Sequence, residues 1–184
     1  MTADARARSP LADRAADLAT IGAELVPFLA QVDLRVHPAY AGLAPYPLPI
    51  EPNVAADDGR RAALWLGPDE WLILGPPGAA TEIVAELDAA FAHVDRSAVD
   101  VSANRVAIEL TGAARFDLLA HVCPLDLDPR VWATGRCAQT LLGRAQVVLQ
   151  ERTETTGILV RPSFADYVVD LLLAVHGAVG GVGA

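Results

Sequence analysis

The apolar positions fall in short blocks whose spacing changes along the chain. Leu64-Trp65-Leu66 and Trp71-Leu72-Ile73-Leu74 flank a Gly67-Pro68-Asp69-Glu70 turn, and Gly75-Pro76-Pro77-Gly78 stops the second block. This pattern predicts a β-hairpin. Pro68 presets a turn φ, and Asp69 bonds local backbone. Each block is almost wholly apolar, so both faces of the hairpin are expected to be covered. Upstream, Val32-Asp33-Leu34-Arg35-Val36 alternates as a half-buried strand does. Downstream, Ile83, Val84, Leu87, Ala90 and Phe91 recur at helical spacing behind Thr81, a capping residue. Residues 97–102 make a short strand, and Val106, Ile108 and Leu110 alternate in another. Residues 63–110 therefore read β-β-α-β-β.

A second unit follows. Gly112 opens a helix through about His121, with Phe116, Leu119 and Ala120 on one side. Residues 123–129 form a loop. Residues 135–142 and 145–150 pair around Gly143-Arg144, and 157–161 is a strand. Ser163 with Asp166 forms a Ser-x-x-Asp box at the start of a last helix. Its apolar stripe is Phe164, Tyr167, Val168, Leu171, Leu172 and Val175. Pro38, Pro45, Pro47, Pro49 and Pro52 exclude a helix over 38–52 and predict an extended surface segment. The fold class is α+β, with helices on antiparallel sheets. Residues 1–24 read as an N-terminal arm, either a short helix or mobile. Residues 25–176 form the domain, with halves at 25–110 and 111–176. Residues 177–184 are a flexible tail.

Composition narrows the function. The chain has 184 residues, 53% of them hydrophobic, which hints at apolar surface covered by a partner. The net charge of −9 opposes binding to nucleic acid or to an anionic membrane. All 14 basic residues are arginine, so Schiff-base and P-loop lysine chemistry are excluded. Cys123 and Cys137 match no metal or disulfide spacing and read as free thiols of a reducing compartment. Residues 1–20 lack an apolar core of the secretory type, and no apolar run spans a bilayer. A cytoplasmic protein is expected.

Candidate chemistry is sparse. His121, Cys123, Asp126 and Asp128 are close in sequence, but their spacing fits helix-end and loop chemistry better than a nucleophile with its base or a metal site. Nothing in the sequence pairs Asp95, Asp100, Glu109 and Asp117. The glycines at 177, 180, 181 and 183 follow a helix rather than preceding one, so they offer no pyrophosphate cradle. Trp65 and Trp71 share a face if the turn preserves the alternation, and core packing is the better reading for them. Trp132 sits in a loop and is the best candidate interface anchor. Arg136 and Arg161 are suited to gripping a carboxylate. The candidate interface set is Trp132, Arg136, Pro45, Tyr46 and Pro47. No catalytic, cofactor or metal residue is named.

Four stretches carry a resemblance. They are residues 64–72 (LWLGPDEWL), Val99-Asp100-Val101-Ser102, Cys123-Pro124-Leu125-Asp126-Leu127 and Gly135-Arg136-Cys137-Ala138-Gln139-Thr140-Leu141. Ser163-Phe164-Ala165-Asp166-Tyr167 is a weaker fifth. In this order, over roughly residues 25–175, they resemble the gamma subunit of heterotetrameric sarcosine oxidase. The resemblance implies two ferredoxin-like βαβ-type units, similar to the folate-binding part of the glycine-cleavage aminomethyltransferase. It implies a non-catalytic subunit of an enzyme that oxidatively demethylates sarcosine to glycine, with hydrogen peroxide as product. With tetrahydrofolate, 5,10-methylenetetrahydrofolate also forms. Alpha, beta and delta subunits are the implied partners. FAD, FMN, NAD, tetrahydrofolate and zinc are expected on those partners, and none on this chain. The family has Arg directly before Ser-Phe-Ala, whereas here Pro162 intervenes after Arg161. The alternative is a stand-alone folate-binding protein of the aminomethyltransferase type.

Overall fold

The computed structural model describes residues 8–180. In chain order they form α1 (Ala15–Thr20), β1 (Ala23–Val26), β2 (Ala30–Val36), β3 (Ala55–Asp57), β4 (Ala62–Gly67), β5 (Glu70–Gly75) and α2 (Ala80–Ala90). Then come β6 (Arg96–Asp100), β7 (Val106–Thr111), α3 (Ala114–Ala120), β8 (Cys137–Leu142), β9 (Ala145–Glu151), β10 (Thr155–Val160) and α4 (Ala165–Gly180). These elements divide into two compact units. The first holds Pro27–Asn104 and Gly135–Ala138, and the second holds the remaining described residues.

The first unit is a sheet of order β3-β4-β5-β2-β6, with every neighbouring pair antiparallel. The expected hairpin is β4–β5, and both its strands are buried almost throughout. Trp65 lies opposite Trp71, so the two share a face. The register slips by one residue only beyond them, between Trp65 and Gly67. α2 lays Ile83, Leu87 and Phe91 on Val32, Leu34, Trp71 and Ile73, all fully buried. Each such side chain contributes about 1.5–3 kcal/mol of burial. Thr81 does not cap this helix. Ala79 holds the N-cap position, with no side-chain hydrogen bond.

The proline-rich stretch departs from expectation in one respect. Pro38–Leu43 forms a 3-10 turn. Pro38 enters at its start, where a missing N–H costs nothing, and His37 Nδ1 accepts from the Ala39 amide at 3.2 Å. Beyond the turn the chain is tied down. Tyr46 is buried, Ala44 and Leu48 pack on the core, and Trp71 Nε1 donates to the Pro49 carbonyl at 2.7 Å.

The outer edge of β3 is closed by residues 135–138. The Ala55 amide donates to the Gly135 carbonyl at 2.8 Å, and the Cys137 amide donates to the Asn53 carbonyl at 2.9 Å. Val54 and Arg136 form an antiparallel bridge between them. The segment expected to do no more than open the second hairpin thus first extends this sheet.

The second unit is a sheet of order β1-β7-β10-β9-β8. Ile108, Leu110, Leu149, Ile158 and Val160 are buried along one of its faces. α3 packs against β7 and α4, and α1 against β1 and α4. Residues 8–24 are no loose arm. Leu11 and Leu18 are buried, and β1 pairs with β7 from Ala23↔Leu110 to Val26↔Ala107. Residues 1–7 and 181–184 lie outside the described residues, while 177–180 complete α4 rather than a tail.

Two helical stripes are rotated from their expected positions. In α3 the buried side is Arg115, Leu118 and Leu119, and Ala120 is exposed. In α4 it is Ala165, Val168, Val169 and Leu172, while Phe164 and Tyr167 are exposed. The Ser-x-x-Asp box does not form. A 3-10 turn, Pro162–Phe164, precedes α4 without a side-chain cap. Asp166 instead accepts from Arg14 at 3.0 Å, beside Asp170 at 2.5 Å.

Candidate functional site

Three groups of side chains are candidates for a functional site, and each lies within one unit. The first is a buried polar quartet in the second unit. Arg115 enters from α3, Glu151 from the end of β9, Thr156 from β10, and Trp132 from the loop after α3. The Arg115 guanidinium donates to Glu151 Oε1 at 2.7 Å and to Thr156 Oγ1 at 3.1 Å. Trp132 Nε1 and the Thr156 hydroxyl both donate to Glu151 Oε2, at 3.0 and 2.5 Å. All four residues are buried. A buried ion pair is sustained only when its remaining donors and acceptors are met, and here they are. The arrangement is a structural clamp. It also revises the expectation for Trp132, whose ring and N–H are both engaged inside the chain.

The second group is the 38–52 segment of the first unit. Tyr46 is buried, whereas Pro45 and Pro47 on either side of it are exposed. Tyr40, Leu43 and Ile50 expose 41, 53 and 69% of their surface, an unusual density of apolar side chains on one segment. Arg136 stands beside the segment and pairs with Glu51 at 3.4 Å.

The third is an open groove of about 370 Å³ in the second unit, lined by Arg105, Gln139, Thr140, Gln146 and Arg161 among others. Sequence reasoning singled out Arg161 and met Gln139 and Thr140 only within the 135–141 stretch, but missed Arg105 and Gln146. They meet only through strand register, which no local pattern reveals.

The remaining candidates are used structurally. His121 caps α3, with Nδ1 2.7 Å from the Asp117 carbonyl oxygen. Cys123 Sγ lies 3.8 Å from Thr140 Oγ1 rather than beside an imidazole. Asp126 accepts from the Asp128 amide, and Asp128 pairs with Arg130, which holds the Asp128 carboxyl below its ordinary range. Glu109 pairs with Arg152, and Asp100 accepts from Ser102. Among the described residues no three His, Cys, Asp or Glu side chains are grouped to hold a metal ion. Among them, too, no helix is long and apolar enough to cross a membrane.

The fold and these groups can be set beside known proteins. The profile of the sarcosine oxidase gamma subunit family matches residues 34–177. The chain belongs to the sarcosine oxidase gamma subunit family. The gamma subunit of Corynebacterium sp. strain P-1 is 36% identical over 162 residues, covering 84% of this chain and 79% of that protein. The gamma subunit of an Arthrobacter species is 34% identical over 180 residues, covering 90% and 88%. A chain in the structure of heterotetrameric sarcosine oxidase from Corynebacterium sp. U-96, in complex with pyrrole 2-carboxylate, superposes with a TM-score of 0.83 at 31% identity. The match covers 94% of this gamma subunit family member and 95% of that chain. Glycine cleavage system aminomethyltransferase T from Bartonella henselae shares the fold, with a TM-score of 0.61 at 12% identity. That match covers 86% of this chain and 48% of the other. The fold expected from the sequence resemblance, α+β with antiparallel sheets and akin to that aminomethyltransferase, is the one observed.

Proposed function

We propose that this gamma subunit family member is a non-catalytic component of a heterotetrameric sarcosine oxidase. The observation that carries the reading is the near full-length likeness, in sequence and fold, to a chain of that assembly. The assembly oxidatively demethylates sarcosine to glycine, reducing oxygen to hydrogen peroxide. With tetrahydrofolate it releases the one-carbon unit as 5,10-methylenetetrahydrofolate. In this reading alpha, beta and delta subunits are the partners. They carry FAD, FMN, NAD, the folate site and zinc, and the present chain shapes and stabilises the assembly around them.

The side chains support a structural role. The buried charges of the quartet are satisfied within the chain, and the Cys123–His121 neighbourhood is spent on helix-end and loop contacts. The apolar side chains exposed along 38–52 offer surface for a partner.

The test is affinity capture of the tagged full-length chain from its native cytoplasm. Three further chains, a flavin spectrum and sarcosine-dependent peroxide formation are expected. Capture of this chain alone, colourless and with saturable tetrahydrofolate binding, would overturn the reading in favour of a stand-alone folate-binding protein.

A further inference from the structure

The sheet of the first unit is closed at one edge and open at the other. Residues 135–138 cover β3, whereas β6 is the last strand beyond β2. The pairing of β6 with β2 runs without a break from Val36↔Arg96 to Val32↔Asp100. Just past it the Val101 amide donates to the Gln31 carbonyl at 2.8 Å. Backbone groups point alternately to the two sides of a strand, so Val101, Val99 and Ser97 turn theirs toward β2. Arg96, Ala98 and Asp100 turn theirs outward, where no backbone group among the described residues meets them. Edge strands are ordinarily blunted by proline, lysine or a bulge, and β6 has none of these. Arg96, Ser97, Val99 and Asp100 are exposed, Val99 by 50%.

We infer that two copies of this chain pair through β6, antiparallel about a two-fold axis at Ala98, and so join their first-unit sheets. The order of charges along the strand selects this occupant. With Ala98 opposite its own copy, Arg96 of each chain lies opposite Asp100 of the other. These are the residues whose backbone groups face outward. Arg96–Asp100, Ala98–Ala98 and Asp100–Arg96 are therefore hydrogen-bonded pairs, with their side chains on one face. Opposite charges directly across a ladder stabilise it. Both charges are only partly spent within the chain. Arg96 gives Nε and Nη2 to Asp88, each at 3.0 Å, and its Nη1 has no partner among the described residues. Asp100 accepts on Oδ1 from the Ser102 amide and hydroxyl, at 2.9 and 2.6 Å, and its Oδ2 has no partner among them. On the other face Val99 falls opposite Ser97 and diagonal to the second Val99, which covers its exposed side. The pairing goes beyond the subunit reading above and does not depend on it.

The test is sedimentation equilibrium of the purified full-length chain over a wide range of concentration. The wild-type chain is expected to reach twice its monomer mass. Arg96→Asp and Asp100→Arg, taken singly, each set like charges across both ends of the paired strand and should weaken self-association about tenfold. Mixed in equal amounts, the two variants should associate as the wild type does, because each new charge then faces its opposite in the other chain. That recovery shows both variants to be folded, and a merely structural role for Arg96 or Asp100 would not produce it. Hydrogen exchange of the wild-type chain needs no variant. The Arg96, Ala98 and Asp100 amides should exchange more slowly at high concentration than at low. A wild-type chain that stays monomeric throughout would overturn the inference. So would dimers that both single variants leave intact, or a mixture of folded variants that fails to associate. Slowed exchange at 96–100 only in the presence of partner subunits, with the free chain monomeric, would assign the edge to a partner's strand. That outcome overturns the inference and leaves the subunit reading intact. A wild-type dimer with the expected charge dependence, from a chain that captures no partner subunit, would uphold the inference and remove the subunit reading.

Discussion

Trp132 and Glu151 meet inside the second unit, where the indole N–H donates to a buried carboxylate at 3.0 Å. The same carboxylate neutralises Arg115. Removing it leaves a buried guanidinium unpaired, which costs about 3–5 kcal/mol. Glu151→Leu is therefore expected to destabilise the chain by that amount. Trp132→Phe removes one donor while Arg115 and Thr156 still serve the carboxylate, at a cost of about 1 kcal/mol. Urea denaturation of both variants checks the order. Equal losses would refute the clamp.

Tyr46 presents the opposite case. Its hydroxyl is buried, with no hydrogen-bond partner among the described residues. Burial, reinforced by Glu86 and opposed by Arg61, pushes the phenol above its usual range. Tyr46→Phe is expected to be neutral or to stabilise by about 1 kcal/mol, because an unmet polar group disappears. Tyr46→Ala should cost about 3–5 kcal/mol through the cavity it leaves. Above pH of about 10 the unfolded phenol ionises and the folded one does not, so wild-type stability falls with rising pH. Thermal melts from pH 9 to 11.5 should show that part of the fall missing in Tyr46→Phe.

Cys137 adds a second alkaline dependence. Its thiol is buried and donates to the Trp65 carbonyl at 3.6 Å. Burial pushes it up to about 11, against the smaller opposing effect of the Arg136 charge. The folded value lies above the unfolded one. The thiol's contribution is therefore complete at neutral pH and is lost from about pH 9 to about 11, at about 1.4 kcal/mol per pH unit. Cys137→Ala should flatten stability over this window. An unchanged slope, measured by chemical denaturation at fixed pH values, would show that the thiol ionises in the fold.

Leu43 and Ile50 test the proline-rich segment as a docking surface. Both are exposed, so Leu43→Glu and Ile50→Glu should change the stability of the isolated chain by no more than about 0.5 kcal/mol. Each is expected to reduce capture of partner subunits. Full capture by the double variant would mean that this surface faces solvent in the assembly.

Much of the fold was legible because it is written locally. The hairpin at 62–75 announces itself by two apolar blocks and a Gly-Pro turn, and α2 by its spacing. Legibility ended where long-range contacts decide. Trp132 looks like an interface anchor until Glu151, 19 residues on, is placed beneath it. The stripe of α4 contains more apolar residues than one face can bury, so spacing alone did not show that Phe164 and Tyr167 turn outward. Arg105 carries no local signal at all. It lines the groove because Val106 pairs with Val160 and so sets it beside Arg161.

The closure of the β3 edge has a consequence for how the protein is made. The chain leaves the first unit at Asn104 and returns to it only for Gly135–Ala138. During synthesis the sheet of that unit must wait, its β3 edge bare, while the 30 intervening residues, 105–134, emerge. An uncovered edge is a template for pairing with other chains, so the vulnerable moment for aggregation falls before residue 138 has left the ribosome. Pulse-labelled exchange on stalled nascent chains would expose this order. The Ala55 amide, which donates to Gly135, should gain protection only in chains long enough to have released residues 135–138.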